Sequence, residues 1–155
     1  MALRRSRTTR RLALTACLLS TVPAIPAQAG GLPMAEHGEY VKACGICHLE
    51  AGEGVPGAFP PLDERMTRWS GTEQGRRYLV NVVVNGVNGQ LEVNGVSYFS
   101  AMPGMAHQLT SGQMAALLNF VIVQFGDGEA VFTESSLDEI RTTNGAVSSL
   151  GLRPN

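Results

Sequence analysis

The chain has 155 residues, of which 44% are hydrophobic and 16% charged, and its formal net charge is −1. That length fits one domain, the apolar share suffices for a globular core, and no basic stripe of the kind a nucleic-acid surface needs runs through it. Aromatic residues make up only 6%, which suits an interior partly filled by an apolar cofactor.

The first 29 residues read as an export signal to be removed. Arg4, Arg5, Arg7, Arg10 and Arg11 form a basic start, Leu12 to Ile25 is apolar, and Ala27-Gln28-Ala29 is a small-residue cleavage site. Cleavage after Ala29 predicts a periplasmic protein. The apolar run is short and interrupted by Pro23, so no membrane span is expected in the mature chain. Leu14-Thr15-Ala16-Cys17 also resembles a lipobox, making a lipid anchor on Cys17 the competing reading; the five-residue apolar segment before it and the better site downstream favour the soluble form. Loss of the segment leaves seven basic residues against 13 acidic ones, a net charge of −6, with Cys44 and Cys47 as the remaining thiols. A mildly acidic protein of this kind favours partners with basic docking surfaces and not nucleic acid.

Residues 34–48 have the pattern of a first helix, with Met34, Tyr40, Val41 and Cys44 able to share an apolar face. From Leu49 to Leu62 the density of Gly and Pro predicts an ordered loop. A second helix is expected from an N-cap at Thr72 to about Val84, stopping at Asn85-Gly86. Alternating apolar residues on either side of Asn94-Gly95 predict a short β-hairpin over residues 90–98. Thr110-Ser111-Gly112-Gln113 is a capping box, and Met114, Leu117, Leu118, Val121, Ile122 and Phe125 continue it as a buried helical stripe ending at Gly126. A shorter helix is expected over residues 136–142, capped by Asn144-Gly145. The domain then spans residues 30–145, with 146–155 as a flexible tail.

The chemistry centres on Cys44-Gly45-Ile46-Cys47-His48. Two thiols three residues apart on one helical face, with an imidazole one residue further on, are read as a c-type haem attachment site: the thiols bond the vinyl groups and the imidazole reaches the iron. A zinc site would need two more ligands from His37, His48 and His107, with no second paired motif to supply them. A thioredoxin-like dithiol would follow a strand, whereas a helix leads into this motif. A disulfide between Cys44 and Cys47 would close only a tiny loop. For a sixth iron ligand the loop before the capped helix offers Met102, Met105 and His107. Met102 leads, because Pro103 holds it in extended backbone and so on a stiff loop; Met105 comes next and His107 last. His37 and His107 otherwise read as surface histidines, and Met34, Met66 and Met114 as packing residues.

In these pieces the sequence resembles the class I, mono-haem cytochromes c. The resemblance is to small periplasmic carriers and to cytochrome c subunits of bacterial dehydrogenases and reductases. It rests on Tyr40 four residues before Cys44, the C-x-x-C-H motif, Phe59-Pro60-Pro61-Leu62, Gly86 to Gly89, Val93-Asn94-Gly95 with Tyr98, Met102-Pro103, and the helix from Leu109 to Phe125. It implies a mostly α cytochrome c fold, three to four helices around one covalently bound haem c with one short β-hairpin. It also implies thioethers from Cys44 and Cys47, axial ligands His48 and Met102, and a Pro60 carbonyl that accepts the other ring N–H of His48. Tyr40 and Phe120 would pack where the first and last helices cross. The family's usual glycine eight residues before the first cysteine is Glu36 here, so either Gly38 takes over the close contact or the crossing is wider. Trp69, Tyr98, Arg76 and Arg77 divide evenly between reaching the haem propionates and ordinary core or surface roles.

With both axial positions filled by protein, the expected function is a single-electron carrier and not an enzyme, serving a dehydrogenase, reductase or oxidase as redox partner. A fixed subunit of such an enzyme is one alternative. A gas-binding or peroxidase-like haem protein is the other, and it requires the sixth position to open.

Overall fold

The computed structural model describes residues 34–99, 101–144 and 148–154. The expected export signal, its cleavage site and Cys17 lie outside the described residues, as does Gly145. The order of elements is α1 (Met34–Tyr40), a π-helical turn (Val41–Gly45), α2 (Ile46–His48), α3 (Arg65–Ser70), α4 (Glu73–Asn85), β1 (Leu91–Val93), β2 (Val96–Tyr98), α5 (Ser111–Gly126), α6 (Glu134–Asn144) and α7 (Ser149–Leu152). This is the mostly helical architecture with one hairpin that the sequence predicts.

The run from residue 34 to 48 is continuous but not uniform: the expected single helix carries a π turn at Val41–Gly45 that contains Cys44. Such turns add a residue to the helical circuit, turn the following side chains, and concentrate at functional sites. The run ends at Leu49, whose φ of 62° takes the chain out of the helix. The Tyr40 hydroxyl donates to the Leu49 carbonyl at 2.7 Å and so pins the turn directly after His48.

α5 is the central helix. Thr110 and Gln113 form the expected capping box, with Gln113 N–H to Thr110 Oγ1 at 3.2 Å and Thr110 N–H to Gln113 Oε1 at 2.9 Å. Met114, Leu117, Leu118, Val121 and Ile122 are all buried, and so are Ala115 and Phe120, because α1, α3 and α6 pack around the helix from different sides. Gly126 does not stop the helix but is its last residue; the left-handed residue is Asp127, at φ 56°. Gly126 is needed because Thr67 lies against it, its hydroxyl donating to the Gly126 carbonyl at 2.6 Å. At the α1–α5 crossing Tyr40 stacks on Phe120 with ring centroids 5.2 Å apart, and Phe125 closes the cluster at 5.0 Å from Tyr40. A Cβ on Gly38 would meet nothing within 4 Å, so Gly38 does not replace the missing close contact and the aromatic rings fill the crossing.

Two elements differ from expectation. α3 lies past the predicted 49–62 loop, where the sequence predicts no element; it is only six residues long, and its first free N–H, that of Arg65, is taken by Asp63 Oδ1 at 3.1 Å. Met66 and Trp69 on this helix are buried, and Trp69 meets Tyr78 of α4 edge to face at 5.0 Å. α6 begins two residues earlier than expected because Thr133 and Ser136 cap each other reciprocally, at 3.2 and 2.9 Å. Residues 148–154, which the sequence reading assigns to a flexible tail, are held against the domain. Ser149 is 4% exposed, accepts from Asn81 Nδ2 at 2.9 Å, and donates to the Gly86 carbonyl at 2.5 Å, so α7 is seated on α4.

α4 starts and stops as its residues dictate. Thr72 is extended and its Oγ1 accepts from Gly75 N–H at 3.0 Å, while Gly86 ends the helix at φ 75°. The hairpin pairs Leu91 with Tyr98, Glu92 with Ser97 and Val93 with Val96. Its turn has positive φ at both Asn94 and Gly95, the mirror-image turn that this dipeptide favours.

Candidate functional site

Between the C-x-x-C-H turn, α3, α4, α5, the hairpin and the methionine loop lies one cavity with about 1340 Å³ of non-protein space, its solvent-open mouth included. Leu79, Val82, Leu117 and Val121 make apolar walls, and Cys44, Cys47, His48, Met102 and Met105 all line it. The sequence motif and the methionine loop, more than fifty residues apart, therefore meet in one space.

The local geometry prepares each donor. Cys44 and Cys47 are free thiols, half-buried, while Ile46 between them is 78% exposed, so the helical turn directs both sulfurs to the same side as the cavity. Burial pushes the Cys44 thiol up to about 11, and the neighbouring Cys47 raises it further in the same direction. Among the described residues no group of three His, Cys, Asp or Glu could hold a metal ion.

His48 is 8% exposed and its Nδ1 lies 2.8 Å from the Pro60 carbonyl oxygen. A carbonyl only accepts, so Nδ1 carries the proton and Nε2 of the neutral ring keeps its lone pair. Burial holds the His48 pKa below the ordinary histidine value; the Pro60 bond pulls the other way and loses. The ring is thus neutral, fixed in one tautomer and oriented, as a metal-binding imidazole requires. The carbonyl of Pro60 is in place because the 49–62 loop folds back on the helix end, with Gly54 N–H bonded to His48 O at 2.9 Å and Leu62 N–H to Gly52 O at 2.7 Å.

Met102 is held by a two-way bridge: Val87 N–H donates to Met102 O at 3.0 Å and Met102 N–H to Val87 O at 2.8 Å. Gly86 permits the approach, since a Cβ there would lie 2.2 Å from Met102 O, and Gly104 does the same on the facing segment, where a Cβ would lie 2.5 Å from Val84 O. Met105 is tied through its N–H to Val83 O at 2.8 Å and also lines the cavity. His107 is exposed and does not line it.

The residues weighed for the carboxylate edge of a haem separate cleanly. Trp69 is buried and lines the cavity, whereas Tyr98 is buried but does not line it. Arg76 donates to Ser70 O at 2.8 Å and Arg77 to Asn144 Oδ1 at 2.8 Å, and neither lines the cavity. The cations that do are Arg65 and Arg153, neither singled out from the sequence. Arg65 is 6% exposed; its Nε donates to Asp63 Oδ1 at 2.6 Å, its Nη2 to Pro61 O at 2.8 Å, and its guanidinium lies 5.6 Å over Trp69. The alternation Asp63, Arg65, Trp69 was a usable signal, an acidic cap followed by a cation one helical turn before an aromatic ring.

An apolar cavity with two thiols beside a pre-oriented neutral imidazole, thioethers on a stiff loop and guanidiniums in its wall fits a haem and defines a c-type haem protein. The chain belongs to the cytochrome c family, whose profile, described as "Cytochrome c", matches residues 38–122. It is 38% identical to a cytochrome c-552 of Thermus thermophilus over 119 residues, 72% of this chain and 80% of that protein. It is also 34% identical over 114 residues to the cytochrome c subunit of a quinone alcohol dehydrogenase from Gluconacetobacter polyoxogenes, covering 72% of this chain but 23% of that subunit. The corresponding subunit from Gluconobacter oxydans is 30% identical over 157 residues, 90% of this chain and 32% of the subunit. The family's cofactor is covalently bound c-type haem, and Cys44 and Cys47 stand in its C-x-x-C-H motif.

Proposed function

We propose that the chain is a periplasmic single-electron carrier, with thioethers from Cys44 and Cys47 and axial ligation by His48 and Met102. The observation that carries this reading is the pairing of two fixed donors in one apolar cavity. These are a neutral His48 committed through Nδ1 to Pro60, and a Met102 clamped on both sides by Val87. The bound haem supplies one-electron exchange at iron. The protein's part is to hold two ligands that need no rearrangement between oxidation states, to keep water from the cavity with apolar walls, and to leave no position for a substrate. Export rests on the basic, apolar and small-residue pattern of the first 29 residues.

The names of the dehydrogenase relatives favour a second reading, in which the chain serves as the electron-transfer subunit of a periplasmic dehydrogenase or reductase. Both readings share the same site. Purification of the native haem protein separates them: the carrier elutes alone at the mass of the mature chain, the subunit with an enzyme. Redox titration of the pure protein should follow a one-electron Nernst curve, and its ferrous form should not bind carbon monoxide at neutral pH. Rapid carbon monoxide binding would show an open sixth position and transfer the case to a gas-binding or peroxidase-like protein.

A further inference from the structure

The family match ends at residue 122, yet the haem cavity is closed in part by Arg153. The chain returns there by a definite route. α6 packs on α5 and α4, and Asn144 at its end is buried, exchanging bonds with Arg77 Nε at 2.8 Å and Arg77 O at 2.9 Å. α7 is then seated by the buried Ser149 hydroxyl on Asn81 and Gly86. Immediately after it, Arg153 Nη2 donates to the carbonyl of Glu92 on β1 at 2.7 Å, which ties the end of the chain to the hairpin across the cavity wall.

The two cations lining the cavity differ in how their charge is met. Arg65 already has the Asp63 carboxylate at 2.6 Å. Arg153 is bonded to a neutral carbonyl, and among the described residues no carboxylate pairs with it. Both guanidiniums line the same cavity as the Tyr78 phenol, which burial pushes above its ordinary value while Arg153 and Arg65 pull it back. A haem attached through Cys44 and Cys47 has its two carboxylates on the macrocycle edge remote from the thioethers, and carboxylates taken out of bulk water need cationic partners.

We propose that the C-terminal extension is part of the haem site, delivering Arg153 as a counter-charge to a haem carboxylate and thereby favouring the reduced state of the iron. The inference rests on the covalent-haem reading above. A fixed positive charge at the cavity wall stabilises the form of the haem with one positive charge fewer, which is the ferrous form. Arg153 would then act through a charge on the cofactor, and the anchors Asn144 and Ser149 serve to place it.

The test is the midpoint potential of the full-length holoprotein in wild type, Arg153→Gln, Arg153→Lys and Arg68→Gln. Glutamine keeps a donor for the Glu92 carbonyl and removes only the charge; Arg68 is an exposed cation outside the cavity lining and controls for net charge. Arg153→Gln should lower the ferrous-to-ferric ratio at fixed ambient potential by about three- to tenfold, tenfold corresponding to about 59 mV. Arg153→Lys should recover most of it, and Arg68→Gln should change the ratio by less than about twofold. A ratio for Arg153→Gln within about twofold of wild type overturns the proposal, whatever happens to the melting temperature, because a purely structural strap would move stability and not potential. Absence of bound haem in the wild type would instead defeat the covalent-haem reading itself, so the two failures are distinct.

Discussion

Gly86→Ala tests how the fold presents the methionine loop. Gly86 has φ 75°, where an L-residue is strained by about 1–2 kcal/mol. Its new Cβ would lie 2.2 Å from Met102 O and 2.9 Å from the Pro103 carbonyl carbon, both backbone atoms that cannot rotate aside. The loop has to withdraw, which breaks the paired bonds between Val87 and Met102 at 3.0 and 2.8 Å, each worth about 0.5–1.5 kcal/mol net. Together these effects come to about 2–5 kcal/mol. With an unfolding entropy of about 2.1 cal/mol/K per residue over a domain of roughly 120 residues, the melting temperature of the holoprotein should fall by roughly 8–20 °C. The same displacement should weaken or abolish the long-wavelength ferric absorption band of an iron–thioether bond at temperatures where the variant is still folded. Thermal unfolding followed by far-ultraviolet circular dichroism, with a ferric spectrum at each step, reads both quantities. A variant that melts within about 3 °C of wild type with its ferric band intact would show that the Gly86–Met102 contact is not what fixes the loop.

Two further substitutions probe the frame around the cavity. Asp63→Asn removes the carboxylate from a half-sequestered pair whose side chains are 8% and 20% exposed, and should cost about 1.5–3 kcal/mol at pH 7 in denaturant unfolding. Burial raises the Asp63 pKa, but the Arg65 bonds and the Asn94 amide hold it below the ordinary carboxylate value. Its stabilising effect is therefore complete above the unfolded-state value near 4 and is lost as pH falls through the lower folded-state value, so the variant should also show a shallower acid limb; an unchanged limb would contradict this. Phe120→Ala empties the centre of the α1–α5 crossing, where the ring is 3% exposed and contacts Tyr40 and Phe125. A loss of about 3–5 kcal/mol is expected in the same assay, and a loss under 1 kcal/mol would mean that the rings do not carry the crossing.

Local signals in the chain reported the local structure well. The Thr110–Gln113 box, the Thr72 cap and the Asn94-Gly95 turn each depend on neighbours within a few residues, and each forms with the expected partners. The C-x-x-C-H motif gave its own three side chains, and the family resemblance supplied the Pro60 carbonyl now found 2.8 Å from His48. What escaped was either short or distant. α3 is under two turns long and lies between a Pro-rich loop and Gly71, too little sequence for a helical period to show. The seating of α7 depends on Asn81 meeting Ser149 across 68 residues, and the presence of Arg65 and Arg153 in one cavity depends on the whole path of α6 and α7. No pattern in residues 146–155 announces a partner on α4; the few apolar side chains there suggested a tail because the bonds that dock it are polar.

The central claim is that Met102 closes the iron site opposite His48. Its most direct test is the ferric absorption spectrum of the wild-type holoprotein beside Met102→Ala and Met105→Ala. The iron–thioether band should be present in wild type and Met105→Ala and absent in Met102→Ala, whose ferrous form should then bind carbon monoxide. A band that survives Met102→Ala, or that disappears with Met105→Ala instead, would contradict the assignment, and a wild-type spectrum without the band would contradict the electron-carrier account built on it.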